Sequence, residues 1–199
     1  MQTYRLPPAL VPVAATLRSF GSPWAIAGGW ALDLALGHES RTHADVDIAV
    51  FRDDQGALRA HFAGWTLTYM DAGERHSWAP GRWLELPVHE VYAASPDPAG
   101  PTLELLLNER AGTDWVFRRD PAIRLPIARA LRTTASGLPV LAPEIVLLYK
   151  AKAPRAHDDA DFVMTHAVLS TAGRAWLADA IAHCHPGHRW LRALTSASS

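Results

Sequence analysis

Asp45 and Asp47 stand one residue apart in the run Ala44-Asp45-Val46-Asp47-Ile48-Ala49-Val50. In an extended strand, residues two apart share a face, so Val46, Ile48 and Val50 turn toward a core while both carboxylates project together into a cleft. Two like charges so placed repel each other unless a cation lies between them, and a hard cation with oxygen ligands, chiefly Mg²⁺, suits the position. Upstream, Gly28-Gly29 ends the short apolar run 24–27 and opens an amphipathic segment. Backbone N–H groups at such a helix start can hold a phosphate. A phosphate cradle followed by an acid pair makes two halves of one nucleotide site.

Transfer of a phosphoryl or nucleotidyl group needs little covalent help from protein. It needs the phosphate held in line with the attacking hydroxyl and its growing charge neutralised, which two metal ions can do. Each Mg²⁺ wants near-octahedral oxygen coordination, part of it from substrate phosphates, so a third acid is expected on a neighbouring strand. Glu104, Glu90 and Glu85 compete for that role. Glu104 is favoured because it sits within Leu103-Glu104-Leu105-Leu106-Leu107, where an acid among core leucines is costly unless paired or metal-bound. Near the acceptor hydroxyl it could also act as general base. Glu90, in Val88-His89-Glu90-Val91, is the runner-up, and with His89 it could contact the acceptor instead.

These residues need a scaffold, and composition bounds it. The chain of 199 residues can bury a proper core, with net charge −1 and pI near 6.8. That balance disfavours tracking of long nucleic acid, which calls for a basic stripe, and gives no attraction to anionic membranes. Cys184 is the only cysteine, so no internal disulfide can form and a cytoplasmic location is expected. Residues 10–17 are mostly apolar, but Pro12 interrupts them and no cleavage pattern follows, so a docking helix is expected rather than a secretion signal. No apolar run reaches the length of a membrane span.

Hydrophobic periodicity predicts a helix over 8–20, a strand over 24–27, a helix over 30–36, a strand over 46–51, a helix over 55–62 and a strand over 65–70. Apolar runs at 88–93, 102–107 and 115–117 read as further strands, with a Pro- and Gly-rich loop at 95–101. Beyond Leu141 every segment reads as helical: 143–152, 158–169, 172–182 and 190–194. Asp158 or Asp159 is expected to cap the second of these, and Ser170-Thr171 to separate it from the third. The expected fold is α+β: a mixed sheet with helices over residues 1–140, then a helical subdomain over 141–199, with a cleft between them.

The pattern Gly28-Gly29-Trp30-Ala31, Asp33, Leu36-Gly37, Arg41, His43, Asp45 and Asp47 resembles the nucleotidyltransferase superfamily that includes DNA polymerase beta. It is most similar to the small antibiotic nucleotidyltransferases of the aminoglycoside 2''-adenylyltransferase and lincosamide types. A second similar patch is Leu147-Leu148-Tyr149-Lys150, then Arg155, Asp158 and Asp161. The resemblance implies Mg²⁺, two ions, held by Asp45, Asp47 and a third acid, with ATP or another NTP as donor. It implies transfer of a nucleoside monophosphate to a hydroxyl of a small, aminoglycoside-like or lincosamide-like acceptor. It also brings Arg41 and His43 to the nucleotide phosphates or to support of their own loop. Lys150, on a helix facing the cleft, would balance phosphate charge, while Lys152, two residues on, would face elsewhere. Arg155 with Asp158 or Asp161 would fix a helix–helix turn.

Two other readings stay open. One keeps the chemistry but makes the acceptor a protein or RNA end, as in toxin–antitoxin nucleotidyltransferases. The other is a nucleotide-binding protein with degenerate catalysis, motivated by Trp30, where many polymerase-like relatives carry a serine after glycine. His183-Cys184-His185 with His188 invites a zinc reading, but adjacent positions on a helix end point in different directions. His157-Asp158 would need further spaced histidines to serve a metal-dependent phosphohydrolase. The eight tryptophans read as packing, with one near the cleft able to stack on a base or sugar. The acceptor and the oligomeric state are not encoded in any of these patterns.

Overall fold

A computed structural model describes residues 6–196. One turn of 3-10 helix, Pro8–Leu10, leads into α1 (Val11–Leu17), where Pro12 falls in the first turn and its missing N–H costs no helical bond. Strand β1 (Trp24–Ile26) feeds α2 (Gly28–Leu36), which stops at Gly37 in a left-handed conformation whose N–H closes on the Asp33 carbonyl. Then follow β2 (Asp47–Phe51), α3 (Gln55–His61), β3 (Thr66–Asp71), β4 (Glu74–Ser77), β5 (Glu90–Ala94) and the long β6 (Thr102–Ala111). Short elements come next: β7 (Asp114–Val116), β8 (Arg124–Pro126), α4 (Ile127–Ala130), β9 (Leu131–Thr133) and β10 (Pro139–Leu141). Helices α5 (Pro143–Lys150), α6 (Ala156–Thr165), α7 (Thr171–Cys184) and α8 (Leu191–Thr195) complete the chain.

The strands form one mixed sheet in the order β4-β3-β5-β6-β2-β1-β10-β9, with β7 and β8 branching from the far end of β6. The pairs β2·β6 and β1·β10 are parallel; the rest of that path is antiparallel. Alternation is clear on β6, where Leu103, Leu105 and Leu107 are buried while Glu104 and Leu106 are only partly so. On β2, Ile48 through Phe51 are all buried, as befits a central strand. Each fully buried leucine or isoleucine of this core contributes about 1.5–3 kcal/mol. Among the described residues no helix is long and apolar enough to cross a membrane.

The mixed α+β architecture is as expected, and the differences are local. β4, β8, β9, β10 and α4 carry three or four residues each, too few to show a period. Helix α5 ends at Lys150 instead of running on to 152. Asp158 lies inside the first turn of α6 and not at its cap: Arg155 is the N-cap, and Asp158 accepts its backbone N–H at 3.0 Å. Ser170 does cap α7, its hydroxyl accepting from the Gly173 N–H at 3.1 Å. Trp30, Trp78, Trp115 and Trp190 are buried, so tryptophan here serves packing.

Candidate active site

A cleft of about 710 Å³ opens between the β1, β2, β5 and β6 strands and helices α5 and α6. Its floor is set by strand register. Asp47, the first residue of β2, lies directly opposite Glu104 on the parallel β6. On the other side of β6, Tyr92 of β5 is opposite Glu104, and Glu90, two residues before Tyr92, shares its face. Asp47, Glu104 and Glu90 therefore lie along one face of three adjacent strands, and all three line the cleft. Asp45 lines it too, from the loop just ahead of β2. Glu85 is exposed and lies apart from these residues.

Asp47 and Glu104 carry the electrostatic signature of the floor. Burial, then the charge of Asp45, pushes the Asp47 carboxyl up to about 6. Burial, then the charges of Asp47 and Glu90, pushes Glu104 up to about 7, against a hydrogen bond from Tyr92 that favours its ionised form. Neither acid has a cationic partner in an ion pair among the described residues.

Among the described residues no three His, Cys, Asp or Glu side chains close into a ready coordination shell. That holds for the zinc reading as well: His183 pairs with Asp120 at 2.8 Å, and His188 Nδ1 accepts from the Trp190 N–H at 3.1 Å. Mg²⁺, however, completes its octahedron with water and substrate phosphate, so acids spread across a floor fit it better than a closed protein cage would. The hard oxygen donors and the mutual repulsion of Asp47 and Glu104 fit such a cation.

The glycine pair abuts this floor. Gly28 has φ +57°, and a Cβ there would collide with the Asp47 carboxylate; a Cβ on Gly29 would collide with His43 and Arg41. Glycine is thus needed for Asp47, His43 and Arg41 to close on the first turn of α2. No side chain caps that turn, which leaves backbone N–H groups at its start without intrahelical partners. His43 is held from behind: its Nε2 lies 2.6 Å from the buried Asp33, which also accepts from Ser40 at 2.5 Å. Trp30 packs against His43 in a tilted arrangement with centroids 4.6 Å apart, and its buried indole belongs to the core and does not line the cleft.

The helical wall is wired differently. Lys150 Nζ lies 2.5 Å from Asp158 and 3.0 Å from Asp161, and its side chain is only 13% exposed. Arg155 Nε also donates to Asp158, at 3.0 Å, and Arg41 donates to both oxygens of Asp161 at 3.2 and 3.3 Å. Burial alone would raise Asp158, yet the hydrogen bonds from Arg155 and Lys150 hold it well below the usual carboxylate range. Asp161 is lowered in the same way, with Arg41 and Lys150 outweighing burial. Lys150 is therefore an ion-paired member of a network, and Arg41 ties the loop before β2 to α6. Lys152 lines the cleft after all, because α5 has ended and helical facing no longer applies to it.

Two cleft arginines had no sequence signal. Arg118 and Arg119 sit on the turn after β7, beside the half-buried Tyr149 of the second motif, whose hydroxyl is pushed up to about 12 by loss of water. Tyr149 is also the aromatic in the cleft; no tryptophan lines it among the described residues. Only the pairing of β7 with β6 brings the arginines there.

The sequence family described as aminoglycoside-2''-adenylyltransferase matches residues 9–83. Among solved structures, the solution structure of the antibiotic-resistance factor ANT(2'')-Ia is similar with a TM-score of 0.57 and 18% identity, over 86% of this chain and 88% of that one. ANT(2'')-Ia in complex with adenylyl-2''-tobramycin gives 0.54 and 17%, over 86% and 94%. The lincosamide antibiotic adenylyltransferase LnuA, lincomycin-bound, gives 0.54 and 14%, over 81% and 96%. The fold is that of the antibiotic nucleotidyltransferases. No protein of curated function matches the chain by sequence. The family match spans the glycine pair, Asp33, Arg41, His43, Asp45 and Asp47, and it stops short of Glu104 and Lys150.

Proposed function

We propose that this chain is a Mg²⁺-dependent nucleotidyltransferase that moves a nucleoside monophosphate, AMP from ATP, onto a hydroxyl of a small molecule. The observation that carries this reading is the register of Asp47 with Glu104, two unpaired acids side by side beneath the uncapped start of α2. The antibiotic-modifying relatives named above support a small-molecule acceptor, with aminoglycosides and lincosamides as the first to try.

In this reading Asp45, Asp47 and Glu104 hold the metal. Bound Mg²⁺ supplies positive charge at the reacting phosphate and acidifies the attacking hydroxyl. The backbone N–H groups at the start of α2 hold phosphate oxygens. Glu104 also accepts the acceptor's hydroxyl proton. Tyr92 orients Glu104 through its hydrogen bond, and Arg41 and His43 brace the glycine turn. Lys150 holds the α5–α6 turn against the phosphate side of the cleft.

Pyrophosphate release from Mg-ATP across a panel of aminoglycosides, lincosamides and other polyhydroxyl compounds tests the proposal. Release with at least one acceptor, abolished in Asp47→Asn, is expected. Transfer that survives in Asp47→Asn would overturn the metal assignment, and label from ATP appearing only on macromolecules of a cell extract would overturn the small-molecule acceptor.

A further inference from the structure

Lys152 aside, the Arg and Lys side chains that line the cleft fall into two sets. Arg41, Lys150 and Arg155 are each bonded to Asp158 or Asp161. Arg118 and Arg119 have no carboxylate in an ion pair among the described residues. Both are anchored instead by Tyr149. The Arg118 and Arg119 guanidinium carbons each lie 5.2 Å from the Tyr149 ring centroid, and Arg119 donates to the Tyr149 carbonyl at 3.0 Å. The turn that carries them is rigid: Phe117 is buried, its N–H bonds to the Ile123 carbonyl at 3.0 Å, and Asp120 accepts from the Ala122 N–H at 2.9 Å.

A guanidinium offers five N–H donors in a planar fork, so Arg119 keeps donors beyond the one it gives the Tyr149 carbonyl, and Arg118 beyond its hydrogen bond with the Tyr149 side chain. Arg118 is half-buried and Arg119 exposed at the cleft rim; loss of water lowers both, and the neighbouring Arg118 charge lowers Arg119 further. An oxyanion with several oxygens resolves both conflicts, because it can bridge the two forks with charge-assisted hydrogen bonds. We propose that Arg118 and Arg119 form an oxyanion-binding subsite on the cleft wall nearest Glu90, taking a phosphate or carboxylate group. The group belongs either to the polyphosphate of the nucleotide or to an acidic substituent on the acceptor. The choice between those two sources rests on the nucleotidyltransferase reading; the existence of the subsite does not.

Calorimetric titration with inorganic pyrophosphate, in EDTA so that no metal bridges it to the acids, tests the subsite. Wild-type protein is expected to bind pyrophosphate, with affinity about tenfold lower in Arg118→Gln and only partly restored in Arg118→Lys, which returns the charge without the fork. Melting temperature of each variant separates loss of the fork from loss of the fold, and a destabilised Arg118→Gln leaves the Arg119→Gln titration to decide. If a non-hydrolysable ATP analogue with Mg²⁺ displaces pyrophosphate, the source is the nucleotide; if both bind together, it is the acceptor. No pyrophosphate binding by the wild type, or affinity within twofold in both glutamine variants, would overturn the proposal. A failed transfer assay would leave this result standing, since binding in EDTA needs no catalysis.

Discussion

Two sets of acids face the same cleft and titrate in opposite directions. On the sheet floor, Asp47 and Glu104 are pushed up to about 6 and about 7 by burial and by neighbouring carboxylates, Asp45 foremost for the first and Asp47 for the second. On the helical wall, Asp158 and Asp161 are more withdrawn from solvent than the partly exposed floor acids, each side chain 3% exposed, yet fall below the usual carboxylate range because Lys150, Arg155 and Arg41 bond to them. Burial alone does not distinguish a functional acid from a structural one; the presence of a resident cation does. The wall acids are ion-paired within the chain, whereas the floor acids have no ion-pair partner among the described residues, and the proposed function assigns that role to a metal ion.

The largest expected effect separates the two sets by activity. Asp47→Asn or Glu104→Gln should lower nucleotidyl transfer by about 10²–10⁴-fold while leaving the melting temperature unchanged or raised, since each removes a repulsive charge. Lys150→Met should do the reverse in kind: it removes the one cation shared by Asp158 and Asp161, leaving the first to Arg155 and the second to Arg41 in a buried site, and costs about 3 kcal/mol in denaturant unfolding. A floor variant that unfolds the protein, or a Lys150 variant of unchanged stability, would break the contrast.

The pH dependence of stability sharpens it further. Raised floor acids bind protons in the folded chain that the unfolded chain has already released. Their contribution is fully present below the ordinary carboxylate range and lost as pH rises through about 6 to 7. The lowered wall acids behave oppositely, stabilising above the ordinary range and losing that contribution as pH falls. Metal-free melting temperature should therefore drop between about pH 4.5 and pH 7.5 in wild type, and more weakly in Asp47→Asn/Glu104→Gln. At neutral pH, saturating Mg²⁺ with a non-hydrolysable ATP analogue should raise the wild-type melting temperature by about 2–4 °C or more. The smallest effect is Arg41→Ala. Asp161 keeps Lys150, and Arg41 is itself a third exposed, so a loss of about 1 kcal/mol is expected.

How much of this was readable from residues follows the range of the interaction. Gly28-Gly29 and the Asp45–Asp47 alternation are local patterns, and they marked the cradle and the floor. Glu104 stood out because an acid among leucines is anomalous, but its register with Asp47 is a fact of strand pairing. Glu90 and Glu104 both reach the cleft, so the competition between them ends with both on the floor and Glu85 outside it. The resemblance implies a Lys150 that balances phosphate charge; its partners Asp158 and Asp161 are visible in the sequence, yet their pairing with it depends on how α5 and α6 turn. Arg41 meets Asp161 across most of the chain, and Arg118 and Arg119 reach the cleft only through the β6–β7 pairing, so neither contact leaves a local signal. Strands such as Pro139–Leu141 escape periodicity because three residues define no period, and neighbours in space hold them.

The central claim is that Asp47 and Glu104 complete a cation–nucleotide site. Calorimetric titration of the wild type and of Asp47→Asn/Glu104→Gln with a non-hydrolysable ATP analogue, with Mg²⁺ and with EDTA, tests it without knowledge of the acceptor. The account predicts binding to the wild type that strengthens markedly with Mg²⁺, and no Mg²⁺ dependence in the double variant. Equal affinity in Mg²⁺ and EDTA for the wild type, or the same Mg²⁺ gain in both proteins, would contradict it.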